Sequence, residues 1–162
     1  GRLASGMKLH LIAVGHKMPG WITAGFDDYA RRMPPDLPLA LTEIRPGHRV
    51  AGEDGVRARQ LEAERILAAL PAGCVPVALD ERGVQLTTRE LAGWLTAWMD
   101  EGVSPAFIIG GADGLDDSVK ARAVKQLALS RLTLPHALAR VMLAEQLYRS
   151  LCIIKGHPYH RD

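Results

Sequence analysis

The chain has 162 residues, which suits one domain with a sizeable core and leaves no length for a second of ordinary size. Apolar residues make up 48% and charged residues 23%, which excludes a disordered chain. The net charge of +2 is too weak to argue nucleic-acid binding by itself, so any RNA surface must come from local clusters of basic side chains. No apolar run approaches the ~20 residues that span a bilayer. Cys74 and Cys152 have neither CxxC spacing nor a neighbouring ligand cluster, and fit buried thiols in a reducing cytoplasm.

Residues 1–6 precede Met7 and read as an appended tract outside the fold. Lys8 to Val14 is a buried strand, punctuated by Gly15 and Pro19. Ile22, Phe26, Tyr29 and Met33 then recur at helical spacing until Pro34, Pro35 and Pro38 stop the helix. Leu39 to Ile44 is a second strand, and Gly47 to Gly55 a polar loop. A helix is predicted from Val56 to Leu70, with Val56, Ala63, Leu67 and Leu70 on its apolar stripe.

Cys74 to Leu79 is the third strand, with Asp80 to Gly83 as its turn. Thr87 and Glu90 form a capping box ahead of a helix that buries Leu91, Trp94, Leu95 and Trp98. Ala106 to Ile109 is the fourth strand, ending in Gly110-Gly111. A short helix from Asp116 to Lys125, a fifth strand from Ala128 to Leu134 and a last helix from Ala137 to Ile153 complete the order. Alternating strands and helices, with near-continuous apolar strands, predict a doubly wound α/β domain on a mostly parallel sheet.

Ligands of such sheets sit beyond the carboxyl ends of the strands. Three of those ends carry distinctive residues: LDERG from Leu79, GGADG from Gly110, and LSRLTLPH from Leu129. The glycine loop lets backbone approach a ligand closely, or is simply a tight turn. It is neither a Walker A loop nor a dinucleotide fingerprint. There is no GxSxG elbow, no HExxH and no Cys/His cluster, so no metal is expected. Asp80 and Glu81 are adjacent and, on a strand, point to opposite faces; they read as a solvated turn.

In the last helix Leu138, Val141, Met142, Tyr148 and Cys152 mark an apolar stripe on which Glu145 falls, with Arg149 four residues on. The pair either fixes the helix or orients the tail beyond it. The chain ends on Lys155, His157, Tyr159, His160, Arg161 and Asp162. That tip can contact phosphate, stack on a base and relay a proton.

LDERG, FIIGGADG and LTLPHALARVMLAEQLYRSLCIIKGHPYHRD, with GHKMPGW and DYARRMP near the start, resemble the RlmH family of small SPOUT-class methyltransferases, across the whole chain from Met7. The resemblance implies one domain over 7–162, a parallel sheet with a C-terminal trefoil knot, a homodimer, S-adenosyl-L-methionine as cofactor, and a pseudouridine of 23S ribosomal RNA as substrate, methylated at ring nitrogen 3 on the ribosome. Carried over, the cofactor site is Leu79, Gly110, Gly111, Gly114 and the run Leu129, Ser130, Arg131, Leu132, Thr133, Leu134. The catalytic candidates, unranked, are Arg149, His157, Tyr159 and His160. Candidate RNA contacts are His16, Lys17, Lys155 and Arg161. Two other readings remain open: a nucleotide-binding α/β enzyme that uses the glycine loop for phosphate, and a non-catalytic RNA-binding module.

Overall fold

The computed structural model describes residues 7–52 and 54–161. The expected appended tract and Asp162 lie outside the described residues. Five strands, β1 (Leu9–Val14), β2 (Leu39–Ile44), β3 (Val75–Gln85), β4 (Pro105–Ile109) and β5 (Lys125–Ala128), form one sheet in the order β2-β1-β4-β3-β5. Every pairing is parallel. The helices are α1 (Gly20–Arg31), α2 (Val56–Ala69), α3 (Thr88–Glu101), α4 (Asp117–Arg122) and α5 (His136–Lys155).

The sheet is covered on both faces, as its apolar strands require. Leu11, Phe107 and Val77 face a core shared with α1, α3 and α5, while Ile12, Ile108 and Ala78 face a smaller one under α2 and α4. β4 is buried along its whole length, and Trp98 meets Phe107 edge-on at 6.2 Å. Burying an aromatic or aliphatic side chain of this size contributes about 1.5–3 kcal/mol. The capping box forms: Glu90 N–H donates to the Thr87 hydroxyl at 3.1 Å, and Thr87 N–H to the Glu90 carboxylate at 2.8 Å.

Four expectations need correction. The fifth strand is Lys125–Ala128, so the alternating run from Leu129 to Leu134 is loop. Ser130 Oγ accepts the Leu132 N–H at 2.9 Å, a local turn that outcompetes strand pairing, and Leu132 is left 76% exposed. The preceding helix ends at Arg122, because Ala123 is extended and Val124 N–H bonds to the Pro76 carbonyl. In α2 the buried face is Ala58, Glu62, Ala63 and Ile66, with Val56 exposed. In α5 the buried face includes Ala139, Leu143, Leu147 and Leu151. Of the expected stripe Cys152 is buried, while Leu138, Val141, Met142 and Tyr148, with the Glu145 that falls among them, are only half-buried. A helix apolar on two sides gives no period that picks the inner one.

Candidate active site

β3 does not stop at Leu79. It bulges out over residues 80–83 and rejoins β5 at Val84, where Gly83 crosses so close that a Cβ would lie 2.6 Å from the Gln126 carbonyl. In the next strand-end loop, Gly114 N–H closes back on the Gly111 carbonyl at 3.1 Å, and a Cβ at Gly110 would lie 2.8 Å from the Gly114 carbonyl. Only glycine lets the backbone close on itself so tightly.

The two loops and the 129–135 segment surround a hollow of about 450 Å³ at the carboxyl edge of β3, β4 and β5. Leu79, Gly110, Gly111, Gly114, Leu129, Ser130, Leu132, Thr133 and Leu134 all line it; of the cofactor candidates only Arg131 does not. The volume lies in the range that takes a nucleoside-sized ligand.

Sequence reasoning missed part of this wall. Asp80, Glu81, Lys120 and His136 also line it. Asp80 is no solvated turn residue: its carboxylate is mostly buried and pairs with the Lys120 ammonium at 3.0 Å. Burial pushes that carboxyl up, but the Arg82 N–H and Lys120 outweigh it and hold Asp80 below the ordinary carboxylate range. Glu81 accepts the Thr133 hydroxyl at 3.5 Å. Lys120 comes from α4, far off in sequence, and no local signal ties it to Asp80. His136 did carry a signal, standing directly after the run that supplies the cofactor candidates.

The second cluster is the tail. Gly156, at φ +73°, turns the chain out of α5, and His157 N–H donates to the Cys152 carbonyl at 2.8 Å. The chain then folds back along the helix. Tyr159 lies edge-on to Tyr148 at 4.8 Å, under the Arg149 guanidinium at 4.7 Å. Glu145 Oε2 accepts both Arg149 Nε and the Tyr159 phenol at 2.9 Å. Glu145 Oε1 accepts the Gln146 amide, which in turn accepts the Thr88 hydroxyl. The Glu145–Arg149 pair therefore both fixes the helix and orients the tail.

Burial first, then the Glu145 carboxylate, raises the Tyr159 phenol well above its ordinary range, so it keeps its proton. Glu145 also holds Arg149 more firmly charged. His160 Nδ1 faces Arg149 Nη1 at 3.4 Å, and His157 Nδ1 accepts the Tyr159 N–H at 3.2 Å.

The two clusters do not meet within one chain. His136 and Ala139, at the start of α5, line the hollow. The tail leaves the far end of the helix, where Lys155 pairs at 3.8 Å with Asp36, just ahead of the amino end of β2. The tail folds back only as far as Glu145 and Arg149, roughly 10–20 Å along the helix from Ala139 and His136 at 1.5 Å per residue, and no tail residue lines the hollow. His16 and Lys17 are exposed at the carboxyl edge after β1, and Lys155 and Arg161 are also exposed. Among the described residues no cluster of His, Cys, Asp and Glu could hold a metal, and no helix is long and apolar enough to cross a membrane.

Comparison with known proteins fits this arrangement. Two solved structures share the fold: a probable methyltransferase from Bordetella pertussis (TM-score 0.57, 16% identity, covering 90% of this chain and 96% of that one) and a probable methylase family protein from Haemophilus influenzae (0.54, 15%, covering 96% and 70%). The ribosomal RNA large subunit methyltransferase H of Thiobacillus denitrificans is 78% identical over 96% of this chain and all of its own length. The protein of the same name from Ralstonia pickettii is 57% identical over 96% of this chain and 99% of its own. Residues 7–160 match the family model described as predicted SPOUT methyltransferase, and the chain belongs to that family.

Proposed function

We propose that this chain is an S-adenosyl-L-methionine-dependent methyltransferase that modifies ring nitrogen 3 of a pseudouridine in 23S ribosomal RNA, in the cytoplasm and on the assembled ribosome. The observation that carries the reading is the 78% identity, over nearly the whole chain, to a protein named as a large-subunit ribosomal RNA methyltransferase. The reading takes residues 7–162 as one catalytic domain with a trefoil-knotted C-terminal path, as the family implies.

The hollow suits the cofactor. Gly110 and Gly114, whose backbones close tightly on each other, line the hollow with main chain, and Leu79, Leu129 and Leu134 give an apolar bed for an adenine. When bound, S-adenosyl-L-methionine supplies an electrophilic methyl group. The chain contributes alignment and exclusion of water. The acceptor nitrogen must lose its proton, and the resulting charge spreads over the two flanking carbonyl oxygens. Tyr159 holds its own proton and has its phenol committed to Glu145, so its part is to position the tail. His157 and His160, with Arg161, can donate hydrogen bonds to those oxygens, and the proton passes to water. Arg149, already paired with Glu145, holds the tail in place.

Because no tail residue lines the hollow of its own chain, a site that uses both would take a second copy of the chain. The half-buried apolar face of α5, with Leu138, Val141, Met142 and Tyr148, is the surface on which a homodimer would bring one copy's tail to the other's hollow.

The test is methyl transfer from labelled cofactor to large ribosomal subunits taken from cells that lack the modification, followed by mass mapping. One methyl group on a single pseudouridine is expected. No transfer, or transfer to another nucleotide, overturns the reading.

A further inference from the structure

The segment between β1 and α1 is held more firmly than a surface loop needs to be. Gly15, at φ +126°, donates its N–H to the Ile44 carbonyl at 2.8 Å, and its own carbonyl accepts Nη2 of Arg140 at 3.1 Å. Arg140 is almost wholly buried and also donates from Nη1 to Glu43 at 2.7 Å. A buried guanidinium with two such partners is a rigid anchor. The same first turns of α5 place His136 against the hollow, and its Nε2 lies 3.9 Å from where a Cβ of Gly15 would be. Loop and hollow therefore share one support.

Beyond that anchor the backbone is strained. Lys17, at φ +53°, is the only non-glycine residue with positive φ among the described residues. Strain of this kind persists where the surroundings over-determine it, and it clusters at functional sites. The strained turn leaves His16 and Lys17 exposed and starts α1 with Trp21 pointing outward. Trp21 is 66% exposed, although its helix buries Ile22 and Phe26 on the other side. The molecule has two other tryptophans to compare: Trp98 is buried and Trp94 half-buried. Gly25, one turn on from Trp21, brings α1 close to Val141 of α5, so the indole stands on a packed pair of helices.

An exposed indole with adjacent cationic and imidazole side chains, at the sheet edge that carries the hollow, matches the chemistry of an unstacked nucleotide. The ring takes a base face and the ammonium a phosphate. We propose that Trp21, with Lys17 and His16, is a fixed platform for an unstacked ribosomal RNA nucleotide next to the one being methylated. This rests on the ribosomal RNA reading above and adds a residue to it.

The experiment compares Trp21→Ala, Trp21→Phe and Lys17→Ala with the parent, measuring binding to unmodified large subunits by co-sedimentation and methyl transfer separately. Affinity for S-adenosylhomocysteine and the oligomeric state are measured alongside. Trp21→Ala should weaken subunit binding and raise KM about tenfold with kcat within threefold, as loss of one stacked base implies. Trp21→Phe should keep most of the affinity. Lys17→Ala should weaken binding and lower its salt dependence. Cofactor affinity and oligomeric state should not move. Subunit binding by Trp21→Ala within twofold of the parent overturns the proposal. So does a variant that dissociates into monomers or loses cofactor affinity, since the indole would then be a packing residue. Because binding is read apart from transfer, a parent that binds subunits without methylating them sinks the functional reading and leaves the platform to be judged on affinity.

Discussion

The hollow at the carboxyl edge and the tail folded back along α5 solve positioning in opposite ways. The hollow is shaped by backbone: Gly83 and Gly110 are places where a single added carbon would strike a carbonyl. The tail is shaped by side chains: Glu145 collects Arg149, Gln146 and Tyr159, and the rings of Tyr148 and Tyr159 pack against each other. A wall closed by glycine backbone tolerates no added volume at those glycines. A network centred on one carboxylate tolerates changes of shape and depends on that charge.

The largest effect should come from breaking the backbone-built half. Gly110→Ala puts a Cβ 2.8 Å from the Gly114 carbonyl and should weaken S-adenosylhomocysteine binding by about 100-fold or more, read by calorimetry, as overpacked sites that cannot relax do. Arg149→Ala should leave that affinity within about twofold and abolish transfer, since neither Arg149 nor any residue of the tail lines the hollow. Mixing the two inactive variants then tests whether the halves come from different copies. Random pairing of a symmetric dimer should restore about a quarter of parental activity, because half of the pairs carry one intact composite site out of two. No recovery after exchange of subunits means that each copy works alone.

Much of the hollow is legible in the sequence because strand ends announce themselves. Leu79, Gly110 and Leu129 each follow an apolar run and precede a glycine, serine or aspartate. The elements next to it are less legible for the same kind of reason. Leu129 to Leu134 alternates like a strand, and only the Ser130 turn, which no periodicity reveals, makes it a loop. The identity of the tail residues is readable, and Glu145 with Arg149 at helical spacing foretells their pairing. Its distance from the hollow is not written in the residues. It comes from the direction of α5, which has to run back across the sheet. The Asp80–Lys120 pair joins the bulge of β3 to α4, forty residues apart, and leaves no local trace.

A smaller effect separates positioning from proton transfer within the tail. Tyr159→Phe removes the phenol that donates to Glu145 while keeping the ring against Tyr148 and Arg149. A hydrogen bond to a carboxylate is worth about 1.5–3 kcal/mol, so single-turnover transfer should fall by roughly tenfold to 100-fold with its pH profile unchanged. A phenol held protonated cannot give the profile an ascending limb at neutral pH. Loss of such a limb in the variant would assign proton abstraction to Tyr159 and reverse the reading of the tail.

The smallest effect sets two carboxylates against each other. Glu145 has its charge matched by several donors. Glu62, buried in α2 behind Gly111, accepts only the Gly47 N–H at 2.8 Å, and its Oε1 meets no hydrogen-bond partner. Burial, opposed by that N–H and abetted by the neighbouring Asp113, raises the Glu62 pKa in spite of Arg65 and Arg59. A carboxyl group raised in the folded state adds stability below its unfolded pKa and loses it as pH climbs through the folded one, so ionised Glu62 destabilises the fold at neutral pH. Glu62→Gln keeps an acceptor for Gly47 and removes the charge. Its melting temperature should exceed the parent's at pH 8 and match it at pH 4. Glu145→Gln should lower the melting temperature at pH 8, because it strips the charge from a network built around it. If both variants shift alike at pH 8, the contrast between a buried carboxylate short of donors and one ringed by them fails, and Glu62 must be counted as a charged support of the glycine loop.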